Sequence, residues 1–233
     1  MDRLRLRWVG FTLALLITGL APLSGSGAQQ NRYMVLIDPA HGGDEAGVLA
    51  DKLREKDLTL NLALLIRQEA QKGANFDIQL TRSADRTMTM SERSKAIGAL
   101  QPDCLLSLHV NAGFGKKAAG YEVYFPGFRQ TIAGGGDSIV ILKDMEKNSY
   151  LNDSVRLAQQ IQASLETVFP RKGRGLRDAP SPLLDVLTIP GLIVEVGFAT
   201  CTEDRKKLTD EETQKAIARA LVRGLRTYFQ KVP

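Results

Sequence analysis

The sequence predicts an α/β fold: a single domain built on one twisted, largely parallel sheet with helices on both faces. Three observations carry that expectation. Short apolar runs alternate along the chain with longer stretches whose apolar residues recur at helical spacing. Two of the runs, Tyr33-Met-Val-Leu-Ile-Asp38 and Cys104-Leu-Leu-Ser-Leu-His-Val110, are almost continuously apolar, as strands buried on both faces are. No internal repeat or linker divides the pattern, so about 205 residues beyond the leader described next make one domain with a sizeable core.

Residues 1–28 read as a secretory signal peptide. Arg3, Arg5 and Arg7 form a positive start, Val9 to Leu20 an apolar stretch too short for a comfortable membrane span, and Ser26-Gly27-Ala28 a small-residue cleavage site. Domain 29–233 then opens with a strand at Tyr33–Asp38, followed by a helix at Asp57–Gln71 that gathers Leu58, Leu62, Leu65 and Ile66 on one face. A strand at Phe76–Arg82, a helix at Ser91–Leu100 and strands at Cys104–Val110 and Tyr121–Phe125 come next. Asp153–Phe169 has the spacing of a helix burying Val155, Ala158, Ile161, Leu165 and Val168. Leu183–Leu187 and Leu192–Val196 read as strands. The last helix starts near Thr209, with Glu212 completing a capping box, and runs to about Phe229.

Composition narrows the function. The net charge of +5 includes +2 from Asp2, Arg3, Arg5 and Arg7 of the leader, which leaves +3 for the rest. Basic residues are scattered, apart from a basic loop read at Arg171-Lys-Gly-Arg-Gly-Leu-Arg177, and no basic helix carries interleaved aromatics, which argues against nucleic acid as a partner. Of the two cysteines, Cys104 opens a strand and Cys201 follows the end of another; in parallel strands those are opposite sheet edges, so no disulfide is expected. No phosphate-binding glycine loop, serine nucleophile elbow or activated thiol stands out.

The chemistry lies in four residues. The chain has two histidines, His41 and His109, and each sits at the end of an apolar run before small, turn-forming residues. In a parallel sheet both would reach the edge where ligands bind, which points to a metal site. Glu55 falls at the start of the first helix; the plain reading is a carboxylate complementing the helix dipole, the sharper one a metal ligand. Glu195 lies inside Leu192-Ile-Val-Glu-Val-Gly-Phe198, and a charge there must be paired, hydrogen-bonded or functional. Two histidines and one carboxylate as ligands, with a second carboxylate free to move a proton, are the minimum for a hydrolytic zinc centre.

These residues sit in a set of motifs: Ile37-Asp-Pro-Ala-His-Gly-Gly43, Leu53-Arg-Glu-Lys56, Leu80-Thr-Arg-Ser-Ala-Asp85, Glu92-Arg93, Ser107-Leu-His-Val-Asn-Ala112, Gly120-Tyr-Glu-Val123, Arg174-Gly175 and Val194-Glu-Val-Gly-Phe198. In that order and spacing, the chain from about Tyr33 to Phe229 resembles the zinc-dependent N-acetylmuramoyl-L-alanine amidases of the cell-division and cell-wall type. The resemblance implies a peptidoglycan hydrolase with one Zn2+ held by His41, Glu55 and His109 and with Glu195 as the catalytic carboxylate. It also implies periplasmic residence, with membrane contact only through the leader. A zinc peptidase cutting within the stem peptide and a non-catalytic wall-binding protein are the alternatives.

Smaller expectations complete the reading. Asn111 either hydrogen-bonds the site or shapes its loop, the second reading being preferred, and Arg82, Asp85 and Arg93 form a structural ion-pair cluster rather than touch substrate. Arg174 is either a solvated loop residue or a partner for a stem-peptide carboxylate. Regulated relatives carry a helix after the position of Phe125 that covers the zinc until a protein activator displaces it. Here Ile141–Met145 and Leu151–Ser154 resemble the stretch following that helix, but Gly127–Ser138 is short and glycine-rich, which disfavours such a lid; were 127–147 to reach the metal, Glu146 would be the occluding ligand.

Overall fold

The protein is seen in a computed structural model that describes residues 32–113, 118–127, 138–179, 181–185 and 187–230, with 138–148 and 179 as backbone alone. The expected leader, the stretch 128–137 and the Glu146 side chain lie outside the described residues. Strand β1 (Tyr33–Pro39) runs between β4 (Phe76–Leu80) and β5 (Cys104–Asn111), parallel to both. β5 pairs in parallel with β8 (Gly191–Phe198). Beyond β8 the direction reverses: β6 (Tyr121–Pro126) is antiparallel to it, and β7 (Gly173–Ala179) is parallel to β6. The six-stranded order is β4-β1-β5-β8-β6-β7, and β2 (Leu49–Ala50) and β3 (Leu53–Arg54) form a separate hairpin. A mixed, mostly parallel sheet with helices on both sides is the expected class.

One face of the sheet is covered by α1 (Glu55–Ala70), α3 (Ser138–Leu165) and α6 (Glu211–Gln230). Leu62, Ile66, Leu157, Ile161, Leu221 and Leu225 are buried there against Val35, Leu106 and Val194. On the other face Leu36 and Leu105 pack with Leu183, Ile97 and Leu100, residues of α4 (Pro182–Asp185) and α2 (Met90–Leu100). Alternation along β1 and β5 therefore feeds two apolar layers, and Asp38, Ser107 and His109 fall on the face that is only partly covered.

Several elements differ from the sequence reading. Leu183–Leu187 is not a strand: Pro182 opens the short helix α4, whose consecutive leucines are both buried. Proline at a first helical position supplies the right φ and needs no donor, and two adjacent buried leucines fit a turn better than a strand's alternation. The C-terminal helix α6 lies where expected, but its cap is Asp210, which accepts from the Thr213 amide at 2.8 Å, and a short helix the sequence reading did not mark, α5 (Thr202–Leu208), precedes it. The third long helix starts at Ser138, well before Asp153, and ends at Leu165, so Phe169 is buried beyond its end. Both cysteines are free and buried. Among the described residues no helix is long and apolar enough to cross a membrane.

Candidate metal centre and catalytic carboxylate

The end of β1 is built to turn sharply. His41 adopts φ 61°, and Gly42 and Gly43 follow at 134° and 58°. A left-handed conformation costs a non-glycine residue roughly 1–2 kcal/mol, so the surroundings must enforce it. Two buried arginines do so through carbonyl groups. Arg82 donates to Pro39 O at 3.0 Å, Ala40 O at 3.0 Å and Lys56 O at 2.7 Å. Arg93 donates to Pro39 O at 3.1 Å and His41 O at 2.9 Å, and pairs with Asp38. Asp38 also accepts from Thr81 Oγ1 at 2.6 Å and Ser107 Oγ at 2.9 Å, tying β1, the end of β4, α2 and β5 together. The arginines are structural, as expected, but Asp85 pairs with Lys56 (2.7 Å) instead of with them.

Glu55, the first residue of α1, is buried at 2% exposure between the two histidines. Its Oε2 lies 3.2 Å from His41 Nε2, and its Oε1 lies 3.2 Å from His109 Nδ1. The amides of Val48 and Val110 also donate to it, at 2.8 Å and 3.0 Å. Burial alone would raise this carboxyl, yet the hydrogen bonds from His109, His41 and the two amides hold it well below the usual range. The hydrogen bond to Glu55 raises the His41 imidazole, with Glu45 adding to the effect through Nδ1 at 3.1 Å. Ligand atoms of His41, Glu55 and His109 all lie within 4.8 Å of one another, which makes these three a group able to hold a metal ion. Gly47 closes the cluster: at φ +67°, a Cβ there would stand 2.5 Å from His41 Cδ2 and 2.6 Å from Glu55 Oε2.

Glu195 is carried on β8 directly across from His109 of β5, so their side chains share a face. Its Oε2 is sealed from solvent and takes no hydrogen bond among the described residues. Burial pushes this carboxyl up to about 7; His109 opposes the shift, while Glu55 and Glu122 add to it. Beside the histidines a cavity of about 360 Å³ is lined by Met88, Thr89 and Met90 on one wall and by Leu183 and Ile193 on the other.

One buried charge was missed by the sequence reading. Glu122 sits opposite Glu195 on β6 at 3% exposure. It accepts from Asn111 Nδ2 at 2.7 Å, Tyr124 OH at 2.7 Å and Arg174 Nε at 2.8 Å. Asn111 thus ends β5 and holds a buried carboxylate opposite Glu195 rather than shaping a loop. Arg174 is not in a loop: it lies on β7, where Gly175 at φ 89° accompanies a register shift against β6. The signal for Glu122 was present as a lone carboxylate in Tyr121-Glu-Val-Tyr-Phe125, the same pattern that marked Glu195.

The sequence profile of the N-acetylmuramoyl-L-alanine amidase family matches residues 35–227, a span holding every residue of this cluster. The chain belongs to that family. Among similar proteins, uncharacterized protein YqiI of Bacillus subtilis (strain 168) is 30% identical over 229 residues, covering 98% of this chain and 100% of its own length. N-acetylmuramoyl-L-alanine amidase CwlM of Bacillus licheniformis is 30% identical over 197 residues, 84% of this chain and 68% of CwlM. The crystal structure of an N-acetylmuramoyl-L-alanine amidase from Clostridium difficile 630 superposes with a TM-score of 0.72 at 26% identity, covering 87% of this chain and 100% of that one. This amidase-family chain thus shares its mixed, mostly parallel α/β fold with N-acetylmuramoyl-L-alanine amidase structures.

Proposed function

We propose that this protein hydrolyses the amide between N-acetylmuramic acid and L-alanine in peptidoglycan, with His41, Glu55 and His109 holding one zinc ion and Glu195 as the catalytic carboxylate. The observation that carries the reading is the sealed, unpartnered Oε2 of Glu195 on the strand beside a His/Glu/His group. A buried oxygen left without a partner costs about 1–3 kcal/mol, a cost that suits a group kept free for a proton. The donor set fits zinc, which in hydrolytic sites takes nitrogen and oxygen from three side chains. When bound, the ion supplies a water of pKa near 7 and polarises the scissile carbonyl.

The chain's own groups do the rest. Glu195 takes the proton of the attacking water as it adds to the lactyl carbonyl, then passes it to the alanine nitrogen as the C–N bond breaks. Burial raises this carboxyl above the usual range, which favours its holding the proton between the two transfers. Glu45 accepts at His41 Nδ1 and so turns Nε2 toward Glu55, while the Val48 and Val110 amides fix the Glu55 carboxylate. Export through the 1–28 leader to the periplasm belongs to the same proposal, since the polymer lies outside the cytoplasm.

The test is digestion of purified peptidoglycan by the protein, with and without a zinc chelator, and mass analysis of the products. Stem peptides beginning with L-alanine, lost on chelation and restored by zinc, are expected. Glu195→Gln should keep the metal and lose about 10²–10⁴-fold in rate. Cuts between peptide residues, or equal turnover by the variant, would overturn the reading.

A further inference from the structure

The carboxylate of Glu122 accepts from Asn111, Tyr124 and Arg174, and a second arginine stands over it. Arg177 Nη2 is 3.6 Å from Glu122 Oε1, too far for a hydrogen bond, and its side chain is 47% exposed. Arg174 gives only its Nε to Glu122 and is 39% exposed, with its guanidinium 5.3 Å above the Phe198 ring. The outer nitrogens of both guanidinium groups take no hydrogen bond among the described residues. Two cations thus share one buried anion, and the surplus positive charge faces outward.

Register places that surplus. Glu122 pairs with Glu195 and Tyr124 pairs with Arg177, so Arg177 lies on the face that carries Glu195 and His109. β7 is two strands from β8, and Tyr124 also pairs with Ile193, two residues before Glu195, so Arg177 lies roughly 12 Å from Glu195 at ordinary sheet and residue spacing.

We propose that Arg177 and the free edge of Arg174 form an anion seat for a carboxylate on the peptide half of the substrate, on the side of Glu195 away from the histidines. This rests on the amidase reading. The acyl half of that substrate is a neutral sugar whose carboxyl is consumed in the amide being cut, so negative charge is found on the peptide side. An extended peptide advances about 3.3–3.6 Å per residue, which puts the matching carboxylate about three to four residues beyond the scissile amide. Arginine's planar fork suits a carboxylate, and the Glu122 anchor and Phe198 ring hold the Arg174 fork in place before substrate arrives.

The experiment compares two soluble N-acetylmuramoyl tripeptides that differ only in whether the peptide carboxylates are free or amidated. Cleavage kinetics and equilibrium binding are measured for the zinc-loaded wild type, Arg177→Gln, Arg177→Lys and a control, Arg219→Gln on the opposite helical layer. The acid is expected to show about tenfold lower KM than the amide, the low end for a charge-assisted hydrogen bond. Arg177→Gln should bring the acid's KM up to the amide's, Arg177→Lys should keep part of the preference, and Arg219→Gln all of it. Wild type that cleaves acid and amide alike overturns the seat and leaves the amidase reading standing. If neither is cleaved, the amidase reading fails and binding decides the seat. Tighter binding of the acid, lost in Arg177→Gln, supports it; equal binding overturns it.

Discussion

His41 holds its imidazole on a left-handed backbone, and the carbonyl groups of Pro39, Ala40 and His41 are gripped by Arg82 and Arg93 to keep it there. The side chain needs room as much as it needs anchoring, and Gly47 provides it. Gly47→Ala should therefore displace His41 or Glu55. Zinc affinity is expected to fall about 10–100-fold, as when an outer partner of a ligand is lost, with the fold intact. Competition against a chromogenic chelator measures it, and an unchanged dissociation constant would show that Gly47 does not shape the cluster. His41, His109 and Glu195 were legible because each is a polar residue set in or at the end of an apolar run, where burial demands a reason. Glu55 was ambiguous in the sequence, since a carboxylate at a helix start is ordinary; only the two flanking imidazoles single it out. Gly47 was illegible, because nothing in Asp44-Glu-Ala-Gly47 says which distant atoms a Cβ would meet.

At the scale of elements, α3 and α6 approach closely at Gly224, where a Cβ would stand 2.9 Å from Ile161 Cδ1 and 3.0 Å from Gln160 O. Gly224→Leu is expected to destabilise by about 1–3 kcal/mol through overpacking. Gly98, in α2, meets nothing within 4 Å. There Gly98→Ala should stabilise by roughly 0.5–1 kcal/mol, since alanine loses less backbone freedom in a helix. Chemical denaturation of the two variants should move the midpoint in opposite directions; a gain from Gly224→Leu would mean that the helices are not packed at that point. Element boundaries show the limits of pattern reading in the same way. Helical spacing located α1 and α6 because one face of each is buried. It did not find α5, whose seven residues are too few to show a period, and it placed the cap of α6 at Thr209 where Asp210 supplies it. It also misread the leucines of α4, of which Leu183 is buried against Leu36 and Leu105 on neighbouring strands.

Across the whole molecule, the proposed ligands join three distant parts of the chain: the end of β1, the start of α1 and the end of β5. Zinc should consequently act as a cross-link. At a hundred times its dissociation constant it is expected to stabilise the protein by about 2.7 kcal/mol. For a chain of this size that is a rise in Tm of roughly 5–10 °C. His109→Ala should lose the shift and Glu195→Gln should keep it, as calorimetry would record; an equal shift in all three proteins would place the ion elsewhere. The largely parallel sheet was legible from the alternation of strand and helix. The reversal at β6 was not, because pairing direction depends on which edge of β8 remains open once β5 has taken the other.

The pairing of β5 with β8 brings His109 opposite Glu195, joining residues more than a third of the chain apart. Contacts of such long sequence separation close a large loop and form late in folding. The three proposed ligands all lie in the first half of the chain and can come together as soon as β1, α1 and β5 have formed. A folding intermediate could thus hold a metal and still be inert, and hydrolytic capacity would begin only when β8 docks.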